Sequence, residues 1–328
     1  MTGSLKRMKR NIFLIGFGLL VSSYCLAAEK ITLRIGVQAT GTVVWELSAM
    51  QADPAFKNSD FQLDIHPVAT AEAGKIALQS GAVDMIVSDW IWVSKLRHTG
   101  ADFTFYPYST ASGGLVVPEK SAIQSIKDLP RKRLGIAGGE LDKNWLFLQA
   151  LAAKENIKLN DSVEKVFGAP PLVNEQLKQG RVDAVLTYWH FAVGLESEGY
   201  RQIIDGKAIL QGLGIQEQMP MIGYVFKESW ANDHKQAVSA FFKASKQARD
   251  GLCASDTVWQ TVIPLLNADK VTTQTKLRQR YCEGTVIQWG EPEQQAAGRI
   301  YSLLRTLSSN QLTGDTENLS LGTFWSLK

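Results

Sequence analysis

The sequence has few cysteines and almost no net charge, and it carries no familiar catalytic motif. Each of these absences excludes a class of protein. Of 328 residues only three are cysteine, Cys25, Cys253 and Cys282, and no Cys-x-x-Cys occurs. That leaves out a thioredoxin-type redox pair and a thiol-rich zinc site. The four histidines (His66, His98, His190, His234) are scattered, with no pair at helical metal-binding spacing. Gly-x-Ser-x-Gly, His-Glu-x-x-His and P-loop patterns are all missing, so the reading is not an enzyme and needs no cofactor. The formal charge of +3 belongs to the first ten residues. Taking Lys6, Arg7, Lys9 and Arg10 from 35 basic residues leaves 31 against 32 acidic, a net of −1 beyond residue 28. Such a chain has no long-range field for a polyanion, which argues against nucleic acid as a partner. At 45% hydrophobic and 20% charged it is neither coiled coil, collagen-like nor disordered. Its length suits one large or two medium α/β domains.

Long apolar runs are also missing, apart from Ile12 to Val21 behind the basic stretch Lys6 to Arg10. That run is shorter than the roughly 18 residues a membrane span needs. Small residues follow it, and cleavage after Ala27 or Ala28 fits a signal peptide over residues 1–28. Ser22-Ser23-Tyr24 before Cys25 is a poor match to a lipid-attachment site. The expectation is therefore an exported, periplasmic protein. Cys253 and Cys282 remain after cleavage, and two cysteines in an oxidising compartment favour one disulfide.

What the chain does contain is an internal repeat. Leu78-Gln-Ser-Gly81-Ala-Val83-Asp84-Met-Ile-Val-Ser88-Asp89-Trp90 returns as Leu177-Lys-Gln-Gly180-Arg-Val182-Asp183-Ala-Val-Leu-Thr187-Tyr188-Trp189, at an offset of 99. Upstream, Arg34-Ile-Gly36-Val37 matches Arg133-Leu-Gly135-Ile136 at the same offset. Each copy reads strand, helix, strand, helix, strand: 31–37, 43–51, 61–68, 71–80 and a strand ending at Ser88, then 133–137, 144–156, 163–167, 172–179 and a strand ending at Thr187. Gly81 and Gly180 stand where helix C-caps belong. That order predicts a parallel sheet in each unit. Extended runs at 103–108 and 115–117 flank a crossover at Ser109–Gly114, a further run at 221–226 returns the chain near Met219–Gly223, and the sequence beyond reads as helical. Asp84 and Asp183 open strands away from any cleft and read as structural.

These features resemble a type II periplasmic solute-binding protein of an ABC importer, in the group serving sulfonates, taurine, nitrate and thiamine precursors. The resemblance rests on Leu115-Val-Val-Pro118, Ser125-Ile-Lys-Asp128-Leu129, Arg133-Leu-Gly135-Ile-Ala-Gly138-Gly139, Ala169-Pro170-Pro171 and Gly180-Arg-Val-Asp183-Ala184-Val185, over about residues 30 to 230. It implies a two-lobed α/β fold with the ligand cleft between lobes, taken as 29–112 with 222–328 and 113–221. It also implies a monomer, hinge closure, and an ABC permease with its ATPase as partner. An enzymatic relative in thiamine pyrimidine synthesis carries a cysteine-rich motif that is absent here. A ligand-sensing module for another membrane partner is the remaining alternative class.

Ligands of open α/β sheets bind beyond the carboxyl ends of strands. Four such ends, 38–46, 88–92, 138–145 and 187–191, supply the candidate ligand contacts: Thr40, Thr42, Trp45, Glu46, Asp89, Trp90, Glu140, Asp142, Trp145, Tyr188 and Trp189. Thr40 and Thr42 with free helix N–H groups suit an anion. Carboxylates among aromatic faces suit instead an organic ammonium or protonated heterocycle. Asp89, Glu140 and Asp142 converging without the aromatics would suit a hard ion such as Ca²⁺ or a lanthanide. Asp142 has a second reading, as the N-cap of the helix that follows it. The expectation favours a cationic or amine-bearing ligand, with the metal ion and the sulfonate-type anion as alternatives.

Overall fold

The computed structural model describes residues 1–3 and 30–326, so the leader read over 1–28 lies almost wholly outside the described residues. No described helix is long and apolar enough to cross a membrane. The first repeat gives β1 (Ile31–Gln38), α1 (Val43–Ala52), β2 (Phe61–Val68), α2 (Ala71–Ser80), β3 (Met85–Ser88) and α3 (Trp90–His98). Strands β4 (Phe103–Ser109) and β5 (Gly114–Pro118) lead to the second. It comprises β6 (Arg133–Ala137), α4 (Lys143–Lys154), α5 (Leu159–Ser162), β7 (Glu164–Gly168), α6 (Pro170–Lys178), β8 (Ala184–Thr187) and α7 (Trp189–Glu196). Then come β9 (Tyr200–Asp205), α8 (Gly206–Gly212), β10 (Ile222–Lys227), α9 (Glu228–Asp233), α10 (Lys235–Ala254), α11 (Asp256–Gln260), α12 (Val271–Glu283) and α13 (Glu291–Leu307).

The fold is a two-lobed mixed α/β structure with one five-stranded sheet per lobe, ordered β2-β1-β3-β10-β4 and β7-β6-β8-β5-β9. The repeat strands run parallel, but β10 is antiparallel to β3, and β5 is antiparallel to β8. The sheets are therefore mixed, not parallel throughout. The crossover strands lie in the sheets themselves, and β10 returns the chain to the first one. The tail covers that sheet's outer edge: the Phe105 amide donates to the Thr323 carbonyl, and the Trp325 amide to the Phe105 carbonyl.

The repeat has a physical basis. Asp84 takes the Arg34 backbone N–H at 2.9 Å and its guanidinium at 2.5 and 3.0 Å; Asp183 does the same for Arg133 at 2.9, 2.7 and 3.2 Å. Each pair pins a unit's first strand to the residue that opens its third. A methyl on Gly36 would come within 3.1 Å of Ile86, and one on Gly135 within 3.3 Å of Val185, the homologous neighbour. Glycine there lets adjacent strands and their covering side chains pack closely. Helix α13 packs on α4 of the second unit, and its Arg299 pairs with Glu217 at 2.6 Å. The Cys253–Cys282 disulfide joins α10 to α12.

Candidate functional site

The carboxyl ends of β1 and β3 face the N-termini of α4 and α7 across a cavity of about 360 Å³. Thr42, Ser88 and Asp89 line it from one lobe; Asp142, Lys143, Tyr188, Trp189 and His190 line it from the other. The side chains of Thr42 and Tyr188 do not cap α1 and α7, whereas Asp89 and Asp142 cap α3 and α4. Among the helices whose first turns line the cleft, α1 and α7 thus lack a side-chain cap, while α3 and α4 carry a carboxylate.

Those carboxylates have partners. Asp89 accepts from the Trp92 backbone N–H at 2.9 Å and from Lys143 Nζ, across the cleft, at 3.2 Å. Burial opposes its charge, but Lys143, the Trp92 amide and Lys75 outweigh it and hold its pKa below the usual carboxylate value. Asp142 accepts from the Asn144 and Trp145 backbone N–H groups at 2.9 and 3.2 Å. Burial dominates there, and despite Lys143 and the two amides its pKa is raised. Lys143 is half-buried, and although burial opposes its charge, Asp89 and Asp142 together raise its pKa and keep it charged. Burial, with Asp142 adding to it, pushes Tyr188 up to about 12. Burial takes His190 down to about 4, partly offset by the Thr40 carbonyl, so this imidazole is neutral near pH 7.

Several expected contacts lie elsewhere. Glu140 is exposed and off the cavity lining. Trp90 and Trp145 are 0% and 1% exposed and belong to the core; Trp90 Nε1 donates to the Pro220 carbonyl. Trp45 packs edge-on against Trp189 and Trp259, each at 6.0 Å, and with Thr40 faces a second cavity. Glu46 is fully buried, accepting from Tyr224 at 2.6 Å and from Ser245, and pairing with Arg249 at 3.3 Å. The reason is helical phase. Along a helix each position rotates by about 100°, which carries Glu46 and Trp145 onto faces packed inside the lobes and turns Trp45 away from the first cavity. Among the described residues no three His, Cys, Asp or Glu side chains gather to hold a metal ion, so Asp89, Glu140 and Asp142 form no such set.

The structure adds two charged residues that the sequence reading passed over. Glu72 and Lys75, on the first turns of α2, line the cavity and pair at 2.8 Å, with Lys75 lying 5.3 Å over the Trp92 ring. The strand-end rule would have found them had it been applied to the end of β2. His190 was visible only as an isolated histidine.

The fold and the interlobe cleft define a two-lobed ligand-binding protein. Residues 56–255 match the family described as NMT1/THI5 like, and the chain belongs to that family. It is similar in structure to the alkanesulfonate-binding protein SsuA from Xanthomonas axonopodis pv. citri bound to MOPS, at 19% identity over 91% of this chain and 99% of that one, TM-score 0.67. The periplasmic aliphatic sulphonate binding protein SsuA from Escherichia coli matches at 17% identity over 88% and 95%, TM-score 0.65. An ABC transporter protein from Parabacteroides distasonis shares 11% identity over 91% and 99%, TM-score 0.69. At these identities the likeness is one of fold. Among curated proteins none matches the sequence.

Proposed function

We propose that this protein is the exported solute-capturing component of an ABC importer. It binds one small ligand in the interlobe cleft, and the closed form is what a membrane permease with its cytoplasmic ATPase recognises. The observation that carries the reading is the cavity of about 360 Å³ at the facing strand ends of two sheets, a volume suited to a small ligand. Family membership and the likeness to periplasmic sulfonate-binding proteins support it, and the leader read over 1–28 supports export to the periplasm. The role is binding rather than catalysis, by a monomer hinged near Ser109–Gly114 and Met219–Gly223. Closure shifts a population between open and closed forms.

For the ligand we infer a small molecule that carries an amine or protonated heterocycle beside an anionic group. The charged lining residues are Glu72, Asp89 and Asp142 against Lys75 and Lys143, so a fully charged ion of either sign meets a like charge. The helix N-termini of α1 and α7 and the Lys143 ammonium favour an anionic group. Asp142, which accepts two backbone amides and has no ion-pair partner as close as the one Asp89 has, favours an amine nearby. MOPS, bound by the Xanthomonas relative, is itself a sulfonate with a ring amine.

Calorimetry with taurine and other aminoalkanesulfonates, matched alkanesulfonates, simple amines and Ca²⁺ tests this. The zwitterions are expected to bind at least about tenfold tighter than either half alone, a difference of about 1.4 kcal/mol. Asp142→Asn, which keeps a capping side chain, should erase that advantage. Plain sulfonates binding as tightly, and better still with Asp142→Asn, would end the amine requirement.

A further inference from the structure

The last turn of α12 and the residues just past it touch three separate parts of the molecule. Arg280 pairs with Glu196 of α7 and donates to the Gln202 side chain at 3.1 Å, so it reaches the second lobe. Cys282 is bonded to Cys253 of α10. The Gly284 carbonyl accepts the Thr110 backbone N–H at 2.9 Å and the Ser109 and Thr110 hydroxyls at 3.3 and 3.2 Å. Next to it, Ser109 and Thr285 form an isolated antiparallel bridge. A methyl on Gly284 would come within 2.6 Å of Ala111 Cβ, so the crossover backbone lies directly on the end of this helix. Packing alone gives α12 little hold, since three of its 13 residues are buried, Thr273, Leu277 and Tyr281. The disulfide supplies the covalent tie between its last turn and α10, and both cysteines are only partly buried.

We propose that the Cys253–Cys282 disulfide is a redox-sensitive clamp on the interlobe hinge, a reading that rests on the crossover at Ser109–Gly114 serving as that hinge. Oxidised, it keeps the end of α12 seated, so that Gly284 holds Thr110 while Arg280 holds Glu196. A dithiol reductant releases it by thiol–disulfide exchange. The dithiol gives up two electrons and two protons and closes to its own disulfide, while Cys253 and Cys282 become thiols. The freed turn then loosens its hold on the crossover and on Glu196 together, and the lobes move more freely about the hinge.

Native-state hydrogen exchange of the protein tests this, oxidised and after treatment with dithiothreitol, with the freed thiols titrated. Reduction is expected to speed exchange of the Thr110 amide at least tenfold, through a local opening that low urea leaves unchanged. Gly284→Ala, which forces the crossover off α12 with the disulfide intact, should speed Thr110 likewise and leave reduction little to add. An unchanged Thr110 rate in the reduced protein overturns the proposal. So do fully additive effects of Gly284→Ala and reduction. Loss of the fold on reduction, or a Thr110 rate that rises only with the urea dependence of the β6 and β8 amides, overturns it too, because the bond would then support the whole fold. None of these readouts uses a ligand. Their failure leaves solute capture standing, and a failure to bind solute in calorimetry leaves the clamp standing.

Discussion

At the scale of single residues, the cleft turns on where charge is stabilised and where it is not. Glu46 and Asp89 both follow strand ends, yet one is sealed beneath α10 and the other reaches across to Lys143. A buried carboxylate is tolerated only with partners: Glu46 has Tyr224, Ser245 and Arg249, and removing one member of such a set leaves an unpaired charge. His190 is the opposite case, a buried imidazole kept neutral. Its pKa falls from the usual 6.5 to about 4 in the folded protein, a gap worth about 3 kcal/mol between protonation states. The unfolded chain therefore binds the proton first. The associated stability is complete above about pH 6.5 and is lost as pH falls towards 4. His190→Phe is expected to flatten this part of the acid limb, so that chemical denaturation at pH 7.5 and pH 4.5 differs less than in the unsubstituted protein. An identical pH dependence in both would show that His190 is not the titrating group.

At the scale of elements, much of the architecture was legible because the repeat writes it twice. Strands β1, β2 and β6 and helix α2 fall where period and glycine placement put them, and Gly81 closes α2 at φ 75°. Mixed sheet direction was not legible, since β10 reaches the first sheet from far along the chain and nothing local marks its polarity. The site was legible only in part. Strand ends locate a cleft, but whether Trp90 or Tyr188 faces it depends on the helical phase set by packing. Helix α12 shows the same limit: its sequence gives a helix, while its role comes from tertiary contacts. Its Lys276 and Arg280 meet Glu196 of α7, and its Cys282 is tied to Cys253 of α10. Removing both cysteines (Cys253→Ala with Cys282→Ala) frees a loop of sequence separation 29, which should cost about 3 kcal/mol in denaturation midpoint analysis. The loss should match that seen on reduction of the unsubstituted protein. Equal stability with and without reductant would show that packing alone holds α12.

At the scale of the whole molecule, two of the ion-pair bridges between the lobes lie at different places around the cleft. Asp89–Lys143 crosses inside it; the Glu196 cluster crosses outside, between α7 and α12. The outer bridge has the firmer construction. Glu196 has a side chain only 8% exposed and two cationic partners, and Lys270 Nζ donates to the neighbouring Ser197 carbonyl at 3.2 Å. A shielded carboxylate with two cationic partners makes charge-assisted hydrogen bonds to both, where Asp89 has a single ammonium. If the lobes move about the crossovers, this cluster biases the resting population towards closure without touching the ligand. Glu196→Gln should then shift that population by about 1 to 2 kcal/mol, weakening cleft-ligand affinity by about 5- to 30-fold. Small-angle scattering should show a larger radius of gyration for the unliganded variant, and saturating ligand should restore the compact value. Taurine, if it proves to bind, serves as the ligand for this measurement. An unchanged radius together with unchanged affinity would mean that α7 and α12 stay together in both forms, and that the lobes pivot about this contact instead of closing it.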